Sequence, residues 1–248
     1  MATSQPAKNI TDATAGTDAV ELKVTVAEKK ERAAAEAFNL NPHDGERRHI
    51  FFYDTSGLEL FGQGVVLRAR QVKGGKDDST VKIRPVDPQR ITSKWHRLEG
   101  FKLEADGVGD RMIRSASLSI ERGGDEIKAV AQRIRHVRKL FTEKQEAFLA
   151  DLSPTAIDFE QLAILGPVDA LRWKVNHPAL PHAITAEQWI LPDGRDLLEV
   201  SIKVPTAQAP AASAAFDAFL KGLHLKPQGG QETKTRVALE FFVKQVGV

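Results

Sequence analysis

The sequence of 248 residues contains no cysteine, which excludes disulfides, thiolate metal sites and a cysteine nucleophile. No apolar run approaches the roughly 18 residues that a membrane helix needs, and the N-terminus lacks the basic and then apolar layout of a secretion signal. The net charge is only +2, which is too balanced for a protein that binds nucleic acid through bulk charge. We therefore expect a cytoplasmic protein without a membrane or nucleic-acid partner, in which any binding site depends on the local arrangement of charge.

The order of residues along the chain predicts one α+β domain after a short tail. Residues 1–17 are small and polar and are predicted to be a disordered tail, and residues 18–248 form the domain. Apolar and polar residues alternating with a period of two predict strands at 20–26, 48–54, 65–72, 79–84, 95–104, 170–175, 185–191, 196–204 and 236–243. Helical patterns cover 28–38, 125–140, 142–152 and 207–223, and Thr142 with Gln145 resembles a capping box.

Charged residues recur at alternate positions of these strands, and side chains at i and i+2 of a strand share one face of the sheet. The residues on these faces are Lys23, Arg68, Arg70, Lys82, Arg84, Lys102, Arg172, Lys174 and Lys203, with Glu21, Glu104 and Glu199. A solvated face of an antiparallel sheet is the simplest interpretation for any one strand. Like charges on neighbouring strands are destabilising, however, so the repeated cations favour a bound anion such as phosphate. A few carboxylates among them would hold a divalent metal that itself binds phosphate.

Several segments, in the same order along the chain, resemble motifs of the CYTH superfamily, the triphosphate tunnel metalloenzymes. They are Glu21-Leu22-Lys23 (the end of an ExExK signature), Phe52-Tyr53-Asp54-Thr55 followed by Val66-Leu67-Arg68-Ala69-Arg70 (a YxDT…LRxR block), Thr80-Val81-Lys82-Ile83-Arg84 (a lysine-bearing strand), Leu198-Glu199-Val200-Ser201 (a late acidic strand) and Lys234-Thr235-Arg236 (a C-terminal basic motif). The resemblance is most specific over 20–104 and 186–240, and it is thin between 105 and 168.

This resemblance implies an α+β fold in which an eight-stranded antiparallel closed barrel forms a tunnel, flanked by helices, in a single domain. It implies a metal-dependent phosphohydrolase that uses Mg²⁺ or Mn²⁺ and binds inorganic triphosphate or an organic triphosphate. Two alternatives remain open: an adenylate cyclase of the same superfamily, and a non-catalytic protein that binds polyphosphate or a phosphorylated metabolite. Neither the oligomeric state nor the particular triphosphate is indicated.

The resemblance also implies roles for particular residues. Glu21, Glu104 and Glu199 are the implied metal ligands, and Glu21 and Lys23 are the implied catalytic residues. The implied phosphate contacts are Lys23, Arg68, Arg70, Lys82, Arg84, Lys102, Arg172, Lys174, Lys203, Lys234 and Arg236. The pattern departs from the family at Ala19, Ser201 and Lys203, where acidic residues are usual. Glu187 could replace a missing ligand, although a surface position is the simpler interpretation.

Overall fold

The structure is a computed structural model that describes residues 6–108, 111–225 and 233–246. Within these ranges the chain forms nine strands: β1 (Ala19–Thr25), β2 (Glu46–Asp54), β3 (Val65–Val72), β4 (Asp77–Ile83), β5 (Phe101–Val108), β6 (Arg111–Arg122), β7 (Ala163–His177), β8 (Leu180–Ile190) and β9 (Asp196–Pro205). The α-helices in the same ranges are α1 (Pro6–Thr14), α2 (Glu31–Ala37), α3 (Glu59–Gly62), α4 (Ser93–His96), α5 (Glu126–Ala131), α6 (Glu143–Leu152), α7 (Ala209–Gly222) and α8 (Lys234–Val246). No helix of the described residues is both long and apolar enough to cross a membrane.

The strands close into one barrel in the order β1-β5-β6-β4-β3-β2-β7-β8-β9. The pairs β1–β9, β2–β3, β3–β4, β4–β6 and β8–β9 are antiparallel, and β1 pairs with β5 in parallel. The predicted α+β fold with a closed barrel and flanking helices is confirmed. It differs from the expectation of eight antiparallel strands in having nine strands among the described residues and in the parallel pairing of β1 with β5.

Three segments differ from their predicted secondary structure, each for a local reason. Residues 95–104 are only partly strand, because Gly100 turns the chain at φ +84° before β5. The single helix predicted for 125–140 is broken after α5, where Arg133 has φ +60°, and Ile134 is consequently 77% exposed. Residues 236–243 are helix and not strand: they lie in α8, where Arg236 pairs with Glu240 one turn later.

Two further segments were missed by the sequence patterns. Strand β6 lies in the region where no element was predicted. Helix α1 lies in the segment predicted to be a disordered tail, of which residues 1–5 are outside the described residues. The end of α1 is stabilised by Arg114, which donates hydrogen bonds to the carbonyl oxygens of Asp12 (2.6 Å) and Ala13 (3.0 Å). A cation at a helix C-terminus also interacts favourably with the helix dipole.

The described residues cluster into two compact units. Unit 1 comprises 6–46, 103–108, 111–114, 171–225 and 233–234, and unit 2 comprises 47–102, 115–170 and 235–246. In unit 1, one face of β1 carries Val20, Leu22 and Val24, which belong to a buried apolar cluster with Phe216 and Leu220 of α7. The alternate residues of β1 are therefore on the face of the sheet that does not carry the helices.

The same division of faces holds inside unit 2. Val81 and Leu118 are buried on the apolar face of β4 and β6. Gln145 of α6 is fully buried against this face, and its side-chain amide donates hydrogen bonds to the carbonyl oxygens of Ser79 (3.0 Å) and Leu118 (3.2 Å). The predicted capping box of Thr142 and Gln145 is confirmed at the start of α6. The charged residues of β3 and β4 consequently lie on the face opposite α6.

Candidate functional site

Strand pairing in unit 1 brings acidic and basic residues of distant segments onto one polar face. The parallel register of β1 and β5 places Glu21 opposite Asp106, and the antiparallel register of β1 and β9 places Lys23 opposite Ser201. On the neighbouring pair, Glu187 of β8 is opposite Glu199 of β9. We refer to Glu21, Asp106, Glu187 and Glu199 together with Lys23 and Lys234 as the carboxylate–lysine cluster.

Lys23 lies between carboxylates in this cluster. Its Nζ donates hydrogen bonds to Glu21 Oε2 (2.8 Å) and Asp106 Oδ1 (3.2 Å). The Asp106 side chain is only 3% exposed and that of Lys23 is 16% exposed. Burial by itself lowers the pKa of Lys23, but the charges of Glu21, Asp106 and Glu199 outweigh it and raise this pKa well above its ordinary value. Lys23 is therefore a permanent cation at neutral pH.

Lys234, at the start of α8, is the second lysine of the cluster. Its Nζ pairs with a carboxylate oxygen of Glu187 and lies 3.3 Å from Glu199 Oε1. The ammonium also lies 4.7 Å from the centre of the Trp189 ring, within the range of a cation–π interaction. With a side chain only 7% exposed, Lys234 is held by two carboxylates and an aromatic ring.

The remaining polar residues of β1, β5 and β9 in unit 1 are also paired. Ser201 Oγ donates a hydrogen bond to Glu21 Oε1 (3.2 Å). Lys203 forms an ion pair with Glu104. Lys203 and Lys234, predicted to contact phosphate, thus contact carboxylates in this structure.

These contacts determine whether the cluster suits a resident divalent metal. Each of the implied ligands Glu21, Glu104 and Glu199 contacts a lysine ammonium. Among the described residues, no group of three or more His, Asp or Glu side chains is placed to hold a metal ion. Mg²⁺ and Ca²⁺ require about six or more oxygen ligands at short distance. The carboxylates present do not fit such an ion.

Unit 2 carries a separate set of cations, which we call the basic face: Arg68 and Arg70 of β3 and Lys82 of β4. All are half-buried on the face of the sheet opposite α6. Arg68 is opposite Thr80 in the register of β3 and β4, which makes Lys82 its diagonal neighbour. The structure therefore brings these three sequence-predicted residues together on one sheet face.

Side-chain hydrogen bonds hold part of the basic face in position. Asp78 Oδ2 accepts a hydrogen bond from Arg70 Nε (2.9 Å) and forms an ion pair with Arg70 Nη2 at 2.7 Å. Thr80 Oγ1 donates to Asp78 Oδ1 (2.9 Å) and lies 2.8 Å from Ser119 Oγ. This chain of hydrogen bonds fixes the guanidinium of Arg70 in one orientation.

The other predicted phosphate contacts lie elsewhere. In unit 2, the guanidinium carbons of Arg84 and Arg236 lie 5.8 and 5.1 Å from the centre of the Phe61 ring, and Lys102 is exposed. In unit 1, Arg172 lies 3.9 Å from Glu46. Arg172 and Lys174 line a cavity of about 680 Å³ beside the end of β7.

Sequence reasoning missed Asp106 and the hydroxyl residues of β6. Asp106 follows Glu104 at the i+2 spacing that marks one strand face, which is a signal that could have identified it. Ser117 and Ser119 alternate with Ala116 and Leu118 in the same way, and the register places Ser117 opposite Lys82.

Comparison with protein-family models and with curated proteins finds no match. Solved structures do match. A candidate adenylate cyclase from Bacillus halodurans is 14% identical, with a TM-score of 0.61, and the match covers 89% of this chain and 96% of that chain. A candidate adenylyl cyclase from Hippeastrum, described as having a dominant triphosphatase activity, is 14% identical with a TM-score of 0.63. This match covers 90% of this chain and 96% of the Hippeastrum chain. At this identity the likeness establishes the shared fold.

Proposed function

We propose that the chain binds the phosphates of a triphosphate-bearing small molecule and hydrolyses a phosphoanhydride bond. The observation that carries the proposal is the basic face of unit 2, where Arg68, Arg70 and Lys82 are half-buried on one side of two paired strands. Like charges on neighbouring strands cost stability. An anion with several charges, such as a triphosphate, compensates that cost.

The chemistry of the residues supports this ligand class. Arginine donates two parallel hydrogen bonds to phosphate oxygens, and lysine adds a compact positive charge. Asp78 orients Arg70, so that less side-chain freedom is lost when an anion binds. In hydrolysis, the oxygen of water forms a bond to the terminal phosphorus and gives up a proton to solvent. The bridging P–O bond breaks with its electron pair on the diphosphate oxygen, so that the products are orthophosphate and the diphosphate-bearing remainder. Fixed cations stabilise the charge that develops on the phosphate oxygens.

In the proposed reaction, Mg²⁺ or Mn²⁺ reaches the protein bound to the triphosphate substrate. Mg²⁺ binds readily to phosphate oxygens while it retains several waters, and the carboxylate–lysine cluster does not fit a resident ion. The Hippeastrum protein, which is described as having a dominant triphosphatase activity, has the reaction class that we propose for this chain.

Orthophosphate release from inorganic triphosphate, thiamine triphosphate and ATP tests the proposal, with cyclic AMP measured in the same ATP reactions. We expect binding of at least one triphosphate by calorimetry and release of orthophosphate with Mg²⁺ or Mn²⁺ present. Failure to bind any of the three would remove the proposal. Cyclic AMP as the main product would replace hydrolysis by cyclisation.

A second candidate function is a non-catalytic receptor for a polyphosphate or a phosphorylated metabolite. The pairing of Glu21 and Glu199 with lysines favours it, because carboxylates occupied in this way are poorly placed to hold metal or activate water. Tight triphosphate binding with no orthophosphate and no cyclic AMP would select this function.

A further inference from the structure

The four carboxylates of the carboxylate–lysine cluster are shared between two lysines. Lys23 contacts Glu21 (2.8 Å) and Asp106 (3.2 Å). Lys234 contacts Glu187 and lies 3.3 Å from Glu199. An ammonium group has three donors, so one lysine can serve two carboxylates and still accommodate a further contact.

We propose that Lys23 and Lys234 occupy the carboxylates at which a resident divalent metal would otherwise bind, so that the chain binds triphosphate without a metal of its own. The inference rests on the proposed function, because it concerns the cofactor requirement of triphosphate binding. It departs from the metal dependence that the sequence resemblance implies.

Strand neighbours give the first argument for this assignment. The register places Lys203 opposite Glu21 and Ser201 opposite Lys23 on β9, while Ala19 is opposite Glu104. These three positions next to the carboxylates therefore carry an ammonium, a hydroxyl that donates to Glu21, and a methyl group. None adds a carboxylate oxygen to the ligand set that a hard cation requires.

Burial gives the second argument. The side chains of Lys23 and Lys234 are 16% and 7% exposed. A metal that took over Glu21 and Asp106, or Glu187 and Glu199, would leave a buried ammonium without its ion pairs. Breaking a buried ion pair is strongly unfavourable, and the metal would also be repelled by the ammonium beside it. Each lysine thus excludes a second cation from the same carboxylates.

The experiment measures Mn²⁺ binding to the full chain by electron paramagnetic resonance, and inorganic triphosphate binding by calorimetry in EDTA and in MgCl₂. We expect no stoichiometric Mn²⁺ binding by the free protein, and triphosphate binding in at least one of the two buffers. Lys23→Met and Lys234→Met each free two carboxylates, and we expect these variants to gain Mn²⁺ binding. Arg32→Ala, which removes an exposed ion pair with Glu36, is the matched control and should gain none.

The outcomes separate this inference from the proposed function. Stoichiometric Mn²⁺ binding by the unsubstituted chain would overturn the inference and leave triphosphate binding intact. Folded Lys23→Met and Lys234→Met variants that both fail to gain Mn²⁺ would also overturn it, because the lysines would not be what excludes the metal. If either variant fails to fold, the measurements on the unsubstituted chain decide the question. An absence of triphosphate binding in both buffers would remove the proposed function itself.

Discussion

Replacing Lys23 by methionine should destabilise the protein strongly, because it removes the cation between Glu21 and Asp106 and keeps most of the side-chain volume. The Asp106 carboxylate is 3% exposed and so has little access to water once its ion pair is lost. Removing one partner of a buried ion pair costs about 3–5 kcal/mol, and we take the lower end, about 3 kcal/mol, because Glu21 is 27% exposed. For a chain of this size, that loss corresponds to a fall in Tm of roughly 6–12 °C.

Urea unfolding followed by tryptophan fluorescence measures this loss, and a double-mutant cycle assigns it to the ion pair. Lys23→Met combined with Asp106→Asn should be more stable than Lys23→Met, because the double variant no longer buries that carboxylate charge. Arg32→Ala, at an exposed ion pair, should leave the unfolding midpoint unchanged. An unchanged midpoint for Lys23→Met, or a double variant no more stable than the single one, would refute the reasoning.

Three further predictions concern unit 2. Arg68→Ala should weaken triphosphate binding by about tenfold or more, since a hydrogen bond to a charged group contributes about 1.5–3 kcal/mol. Calorimetry measures this binding, and the control variant Lys76→Ala, at an exposed lysine, should show little change. Equal binding by Arg68→Ala and the unsubstituted chain would remove Arg68 from the site. Gly64→Ala should destabilise the protein far more than Gly74→Ala does in urea unfolding. Both glycines have positive φ, but of these two only Gly64 has a backbone carbonyl oxygen, that of Arg84, 1.9 Å from the position of a Cβ. Similar unfolding midpoints for the two variants would contradict this. Gln145→Ala should cost about 1–3 kcal/mol, because it leaves buried hydrogen-bonding groups without their partner, and urea unfolding within error of the unsubstituted chain would show that the amide is dispensable.

Local patterns were sufficient to predict much of the barrel. Strand β3 has the predicted bounds of 65–72, because alternation with a period of two depends only on adjacent residues. The capping box at Thr142 and Gln145 is equally local, since its two reciprocal hydrogen bonds join residues three apart. The alternation also indicated correctly that Lys23 of β1 lies on the strand face opposite the buried apolar residues. The same holds for Arg68 of β3.

Local patterns gave the wrong secondary structure where one segment carries signals for both strand and helix, or for both a helix and its interruption. Residues 236–243 contain enough apolar and β-branched residues for a strand, but Ala238, Leu239 and Phe242 are buried at helical spacing in α8. The helix predicted for 125–140 has a continuous apolar stripe, yet the backbone conformation of Arg133 interrupts it.

The sequence by itself determined which residues are charged and which strand face they occupy, because the pleat of a strand imposes that alternation on any neighbour. Only the tertiary structure decided which charges meet. Asp106 lies beside Glu21 and Lys23 because β1 pairs in parallel with β5. Lys234 reaches Glu199 from the start of a helix whose residues 236–243 were predicted to be a strand. The partner of a charged group depends on strand order and register, which are properties of long-range packing, and here that packing paired the predicted metal ligands with lysines.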